Sequence, residues 1–279
     1  MSNSLVTKPL AIFFIAFSLL ATCNQRTNAQ AIKRPAVKAC EALDNGLQPN
    51  SIPRTPEGSA ALPGKYPYVA LIGHENEKGT IEFRCGGALI DKRFVLTSAA
   101  CLVHGKPTIV RLGITSLDDV AQSGGMVERK IKAIHVHPEH TVAAAYNDIG
   151  LIELDGDVKY STLVYPVCLH TGAAIPENNT ELYATRWGVN CQLAVSAARV
   201  QLLSNPLCRN AFSELIKKRT VDDIRSTQLC AHNVNPSADD CSTAVDSFGL
   251  RSEVPDVLTR VSEYLDFIEP IVWPSSNEN

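Results

Sequence analysis

This chain of 279 residues has no excess of basic side chains, no Cys-x-x-Cys pair and no internal repeat. Past its N-terminal segment it has no apolar run long enough to cross a bilayer. Each absence removes a class of function. With 26 basic against 29 acidic side chains there is nothing to meet a run of phosphates, so nucleic acid is not an expected partner. Without paired cysteines at short spacing a structural zinc site is not expected, and no cofactor motif is present. Without repeats or low-complexity tracts, one compact domain is the economical reading.

An apolar run does occur at the N-terminus. Lys8 precedes Leu10–Phe17 and then Leu19-Leu20-Ala21. That run is too short for a membrane span and fits a secretory signal over residues 1–29, with small residues suitable for cleavage at Thr27-Asn28-Ala29 or Ala29-Gln30-Ala31. Lys8 and Arg26 leave with it, so the remainder of about 250 residues carries a net charge of −5. An extracellular location follows from this reading. Cys23 is lost with the signal, and eight cysteines remain: Cys40, Cys85, Cys101, Cys168, Cys191, Cys208, Cys230 and Cys241. An even number in a secreted chain favours disulfides; cleavage before Cys23 would leave nine.

Residues 30–54 read as a linker or propeptide-like segment, rich in Pro, Ala, Asn and Lys with no sustained period. From about residue 55 to 274 the chain reads as one domain, with 275–279 as a tail. Short apolar strands are expected at 68–72, 83–90, 94–97, 108–112, 127–136 and 149–154, separated by turn residues such as Gly105-Lys106-Pro107. Six closely spaced strands suggest a small closed barrel. Two helices are expected later. Asn205 is placed to cap the first, with Pro206 at its first position, Cys208, Ala211, Phe212 and Leu215 on one face, and Lys217, Lys218 and Arg219 at its carbonyl end. The second puts Val261, Tyr264, Leu265 and Ile268 on one face and is expected to stop at Pro270.

Six landmarks in order then carry a resemblance. They are Gly64-Lys65-Tyr66-Pro67-Tyr68, Cys85-Gly86-Gly87-Ala88-Leu89-Ile90, Asn147-Asp148-Ile149-Gly150-Leu151-Ile152, Pro166-Val167-Cys168-Leu169, Arg186-Trp187-Gly188 and Pro255-Asp256-Val257-Leu258-Thr259-Arg260-Val261. Together they resemble the chymotrypsin-fold, trypsin-like serine proteases, most closely the arthropod haemolymph type. The resemblance implies an all-β fold of two antiparallel six-stranded barrels, the second truncated, with a short C-terminal helix and a site in the cleft between barrels.

The departures from that pattern bear on function. Leu96-Thr97-Ser98-Ala99-Ala100-Cys101 resembles the segment holding the family's catalytic histidine, but Ala100 stands where the histidine belongs. A methyl group cannot take a proton from a serine hydroxyl. Asp148 matches the triad aspartate. The family's Gly-Asp-Ser-Gly-Gly-Pro motif is absent: Cys241 is followed by Ser242-Thr243-Ala244-Val245-Asp246-Ser247-Phe248-Gly249. The nucleophile and the oxyanion-hole amides are thus missing, and such donors contribute about 3 kcal/mol to transition-state stabilisation. Ser242 and Ser247 lack an adjacent base, and His104 is expected in a surface loop past Cys101. The resemblance therefore points to a non-catalytic homologue that works by binding extracellular proteins, such as proteases or zymogens of an immune-type cascade. The rival reading is an active trypsin-like endopeptidase whose nucleophile segment is missing from this sequence, and Ala100 counts against it.

Other residues keep two readings. Asp239 is a remnant of the specificity pocket or a solvated acidic turn with Asp240. Arg54-Thr55 matches the position of zymogen cleavage or is an uncut linker arginine. His135, His137 and His140 invite a metal reading, but two imidazoles on a strand face are an incomplete ligand set, so no metal is expected. By family analogy Cys85 pairs with Cys101, Cys208 with Cys230 and Cys40 with Cys168, which leaves Cys191 and Cys241 to pair by arithmetic. Asn178-Asn179-Thr180 is the expected glycosylation acceptor, at Asn178.

Overall fold

The computed structural model describes residues 33–44, 61–116, 125–141, 146–175, 181–187, 195–217, 223–234 and 255–274. Residues 1–34 and 35–279 form two separate units, and every element described belongs to the second.

Six strands build a closed antiparallel barrel: β1 (Val69–Glu75), β2 (Ile81–Asp91), β3 (Phe94–Thr97), β4 (Pro107–Leu112), β5 (Val127–Val136) and β6 (Gly150–Leu154), in the order β1-β2-β3-β6-β5-β4. They fall where short apolar runs between turn residues place them, to within three residues at either end. Their alternation explains the closure. Along β5 exposed positions alternate with half-buried ones over most of its length. Inward side chains such as Ile72, Leu89, Val95, Val110, Leu112, Ile152 and Leu154 fill the interior together with Leu102, Val158 and Val164. Each fully buried Leu or Ile contributes about 1.5–3 kcal/mol relative to exposure. Gly73 sits at the bulge of β1, where a Cβ would meet Ile81, Phe83 and Ile109 within 3 Å. Only a residue without a side chain fits there.

In the second half the described residues give part of the barrel expected there. Among the described residues it is an open four-stranded antiparallel sheet, in the order β10-β9-β8-β7. Its strands are β7 (Leu182–Trp187), β8 (Val195–Leu203), β9 (Gln228–Asn233) and β10 (Asp256–Thr259). Cys208, Phe212, Ile224, Cys230 and Val257 form its cluster of buried side chains.

The helices depart from the sequence-based expectations in instructive ways. Residues 30–54, read as a linker, contain α1 (Pro35–Asp44). Tertiary contacts hold it rather than a long apolar stripe: Cys40 is bonded to Cys168, and Ala36 is buried. A short α2 (Ala99–Val103) follows β3. The helix expected after Asn205 begins one residue earlier than a cap there would allow, with Ser204 as N-cap. It then divides at Phe212 into α3 (Asn205–Ala211) and α4 (Ser213–Lys217). Phe212 is buried in the cluster below, and its backbone sits at φ −92°, ψ 3°, off the α-helical region. At the C-terminus a 3-10 turn (Val261–Tyr264) leads into α5 (Leu265–Val272), which does not stop at Pro270. The proline removes one intrahelical donor. The helix runs on because Ile268 and Val272 on either side of it are buried with Ile90, Ile149 and Leu151 against the outside of the barrel.

Disulfides join Cys40 to Cys168, Cys85 to Cys101 and Cys208 to Cys230, with Cα–Cα distances of 5.2, 6.0 and 6.0 Å. Cys191 and Cys241 lie outside the described residues.

Candidate functional site

Strands β3 and β6 pair antiparallel with Thr97 opposite Gly150. The chain leaving β3 and the chain entering β6 therefore emerge at the same end of the barrel. This register brings residues 98–100 beside residues 147–149, although about fifty positions separate them in sequence. Ser98 caps α2, its Oγ accepting the Cys101 N–H at 3.2 Å. The cap satisfies one of the donors that every helix N-terminus leaves free. The next, the N–H of Ala100, donates to Asp148 Oδ1 at 2.8 Å. Cys101 is bonded to Cys85 of β2, and Leu102 is buried in the barrel, so α2 is held from both sides.

The preceding turn sets the position of Asp148. Asn147 has φ 51°, a left-handed conformation that asparagine tolerates better than most residues. Its side chain is engaged at both ends: Oδ1 accepts the Tyr264 hydroxyl at 2.9 Å and Nδ2 donates to Glu139 O at 2.8 Å. Thr259, the last residue of β10, donates its hydroxyl to the Asp148 carbonyl at 2.9 Å. The site thus lies where the barrel meets the four-stranded sheet. Asp148 is 8% exposed.

The residues singled out in the sequence are only partly brought together. Ala100 and Asp148 come together. At position 100 the side chain is a methyl, which neither donates nor accepts a proton. His104 caps the end of α2 with Nδ1 3.0 Å from Ala100 O, so it is bound back onto the helix. His135, His137 and His140 serve separate roles. His135 lies on β5. His137 lies just past its end, not on a shared strand face, with its ring edge-on to Tyr264 at 5.3 Å and tilted against Phe267 at 5.0 Å. His140 Nδ1 lies 3.1 Å from Tyr146 O. Burial pushes the His137 pKa below its ordinary value; the Glu139 charge opposes the shift and His140 adds to it. Among the described residues no group of three or more His, Cys, Asp or Glu is placed to hold a metal ion. Arg54, Thr55, Asn178, Cys191, Asp239, Cys241, Ser242 and Ser247 lie outside the described residues.

Sequence reasoning missed two supporting residues. His74 of β1 is buried, with Nε2 2.8 Å from Cys101 O in the middle of α2. Thr259 falls inside a recognised landmark, yet its hydroxyl contact with Asp148 depends on how β10 meets the barrel. No motif announces either contact.

Comparison with known proteins identifies the family. A family model described as Trypsin matches residues 56–268. The chain is 32% identical to serine protease Hayan of Drosophila melanogaster, over 99% of this chain and 48% of Hayan, so it spans about half the length of that relative. It is 28% identical to serine protease snk of the same organism, over 93% of this chain and 66% of snk. The crystal structure of Drosophila Grass, a clip serine protease of the Toll pathway, superimposes with a TM-score of 0.57 at 18% identity, covering 78% of this chain and 72% of that one. At that identity the likeness speaks for the fold alone. The family match spans most of the chain and contains the whole Ala100–Asp148 site, and on that ground this chain belongs to the trypsin family.

Proposed function

We propose that this member of the trypsin family is a secreted, catalytically inactive homologue that acts by binding other extracellular proteins, proteases or zymogens of an immune-type cascade. The observation that carries the reading is at position 100. The residue whose backbone is hydrogen-bonded to Asp148 has no imidazole, and no histidine among the described residues bonds to that carboxylate. General-base catalysis needs a titratable group within hydrogen-bond reach of the nucleophile. The absence of a Gly-Asp-Ser-Gly-Gly sequence removes the nucleophile and oxyanion amides as well.

The same reading places a signal peptide at 1–29, a cleavable bond at Arg54-Thr55, a remnant of the specificity pocket at Asp239, a Cys191–Cys241 disulfide and a glycan on Asn178. Peptide mapping without reduction tests the disulfide, and loss of a glycosidase-induced mobility shift in Asn178→Gln tests the glycan.

Activity decides the main proposal. Purified secreted protein, treated with a trypsin-like activator, is expected not to hydrolyse Arg or Lys esters and not to react with a fluorophosphonate. Ala100→His alone is expected to restore neither. Labelling that disappears in Ser242→Ala or Ser247→Ala would overturn the proposal.

A further inference from the structure

Asp148 is a nearly buried carboxylate with half of its hydrogen-bonding capacity idle. Oδ1 accepts one hydrogen bond, from Ala100 N–H. Oδ2 receives none from any described residue, and no Lys, Arg or His among them pairs with the carboxylate. The acids on the surface stand in contrast. Asp157 is bridged by Lys92 and Arg93, Glu128 by Arg111, Glu153 by Lys132 and Asp223 by Arg209. Asp148 is therefore a largely buried acid without a cation among the described residues, while these more accessible acids, where pairing contributes little, have them. Ionised carboxylates present about four acceptor sites, and a charge removed from water without a partner is costly to the fold. Residue 100, whose side chain departs from the helix start that Asp148 caps, contributes only a methyl group. Thr259 is committed to the Asp148 backbone carbonyl rather than to the carboxylate.

From this we infer that Asp148 anchors a cation-binding subsite in the proposed docking face, and that its occupant is an arginine or lysine side chain presented by the partner protein. The inference rests on the binding function proposed above and names the chemistry recognised. A guanidinium or ammonium reaching Oδ2 forms a charge-assisted hydrogen bond of about 2.7–2.9 Å. Asp148 as a whole is largely shielded from water, and where solvent is reduced such a contact is stronger than the same pair on the surface. Truncating one member of a desolvated charge pair weakens complexes more than any rim contact does.

The test uses methylguanidinium as the probe, titrated into the intact 15N-labelled protein at low salt, with the amides of Ala100, Asp148 and Thr259 as reporters. Saturable shifts at these amides are expected, weakening as sodium chloride is added. Asp148→Asn keeps an acceptor for the Ala100 N–H and removes the charge; it is expected to weaken binding at least ten-fold. Ala100→Leu keeps the carboxylate and fills the space beside it, with the same expected loss, and it decides the matter where Asp148→Asn does not fold. Unchanged reporters in the parent protein would overturn the subsite, as would equal binding by Asp148→Asn or Ala100→Leu. A response to imidazolium but not to methylguanidinium would overturn the assigned occupant. Neither negative result touches the inactivity proposal, which ester hydrolysis and fluorophosphonate labelling decide separately.

Discussion

The carboxylate of Glu269 accepts a hydrogen bond from the backbone N–H of Ala36 at 3.1 Å, across 233 positions of sequence. Glu269 lies near the end of α5 and is 7% exposed; Ala36 lies in the first turn of α1. The contact satisfies a helix donor that would otherwise be buried without a partner. At the other end of α1 the Tyr165 hydroxyl donates to Leu43 O at 2.7 Å, and between the two Cys40 is bonded to Cys168. A ten-residue helix too short to persist alone in water is thus fixed at both ends and in the middle.

Glu269→Ala should uncap α1 while leaving the disulfide intact. The expected loss is about 1–3 kcal/mol, the cost of leaving a buried donor unsatisfied, and a melting temperature lower by several degrees. Hydrogen exchange should localise the change to residues 35–44. Glu269→Gln keeps an acceptor and should recover most of the protection. Replacing both Cys40 and Cys168 by serine removes a cross-link spanning 128 residues, for which the chain-entropy treatment gives about 4–5 kcal/mol. An unchanged unfolding midpoint in the double variant would contradict that role.

Gly150 keeps α2 close to the barrel. A Cβ there would lie 2.5 Å from Leu102 Cδ1 and 3.0 Å from the carbonyl oxygen of His135. The latter is strand backbone that cannot swing away. Gly150→Ala is expected to destabilise by about 1–3 kcal/mol through overpacking. It should also push α2 outward, so the Ala100 amide should exchange faster than its neighbours in β3. Unaltered protection at Ala100 would mean that Leu102 alone absorbs the methyl.

His137 gives the site a dependence on pH. Its Nδ1 accepts the Glu139 N–H at 3.2 Å, and burial against Tyr264 and Phe267 favours the neutral ring, lowering the pKa from 6.5. The unfolded chain binds the proton first, so the contribution of this ring is present above pH 6.5 and is lost as pH falls through the lower folded value. Residues 137–141 and 146–149 are expected to exchange faster at pH 5 than at pH 7. His137→Phe keeps an aromatic ring and removes the titration, so it should flatten that difference. An equally steep dependence in the variant would assign the effect elsewhere.

The two halves should differ in local opening. Every strand of the barrel has two hydrogen-bonded neighbours, whereas β7 and β10 end the open sheet. Edge strands leave a row of backbone groups without ladder partners. Native-state exchange is expected to be slowest in β1–β6 and faster in β7 and β10, with β8 and β9 between. Uniform protection across both halves would show that the sheet is closed by residues outside those described.

Much of the barrel was legible in the sequence because its signals are local. Alternation of apolar and polar residues, with glycine and proline between runs, locates β3 and β5 to the residue. Position 100 is legible in the same way, since Leu96–Cys101 is a contiguous string and the alanine within it is visible without a structure. The helices were less legible. Ser204 and Asn205 are both competent caps, and Pro270 reads as a stop. Burial of Phe212 decides where the first helix divides, and burial of Ile268 and Val272 carries the second past its proline. Residues 30–54 carry no periodic signal because α1 is held by Glu269, Tyr165 and Cys168, all more than a hundred residues away.

By itself the sequence determined what chemistry is present: an alanine where a proton acceptor is needed, an aspartate after Asn147, and cysteines in number and order for a disulfide-bonded fold. Only the tertiary structure decided what these residues meet. The pairing of Thr97 with Gly150 sets Ala100 beside Asp148, the end of β10 brings Thr259 to the same residue, and among the described residues Oδ2 of that carboxylate meets no donor. Hydrogen bonds and desolvation act through space over a few ångströms, whereas motifs are read along the chain. Contacts between positions 48 and 111 residues apart therefore exist only once the strands have found their register.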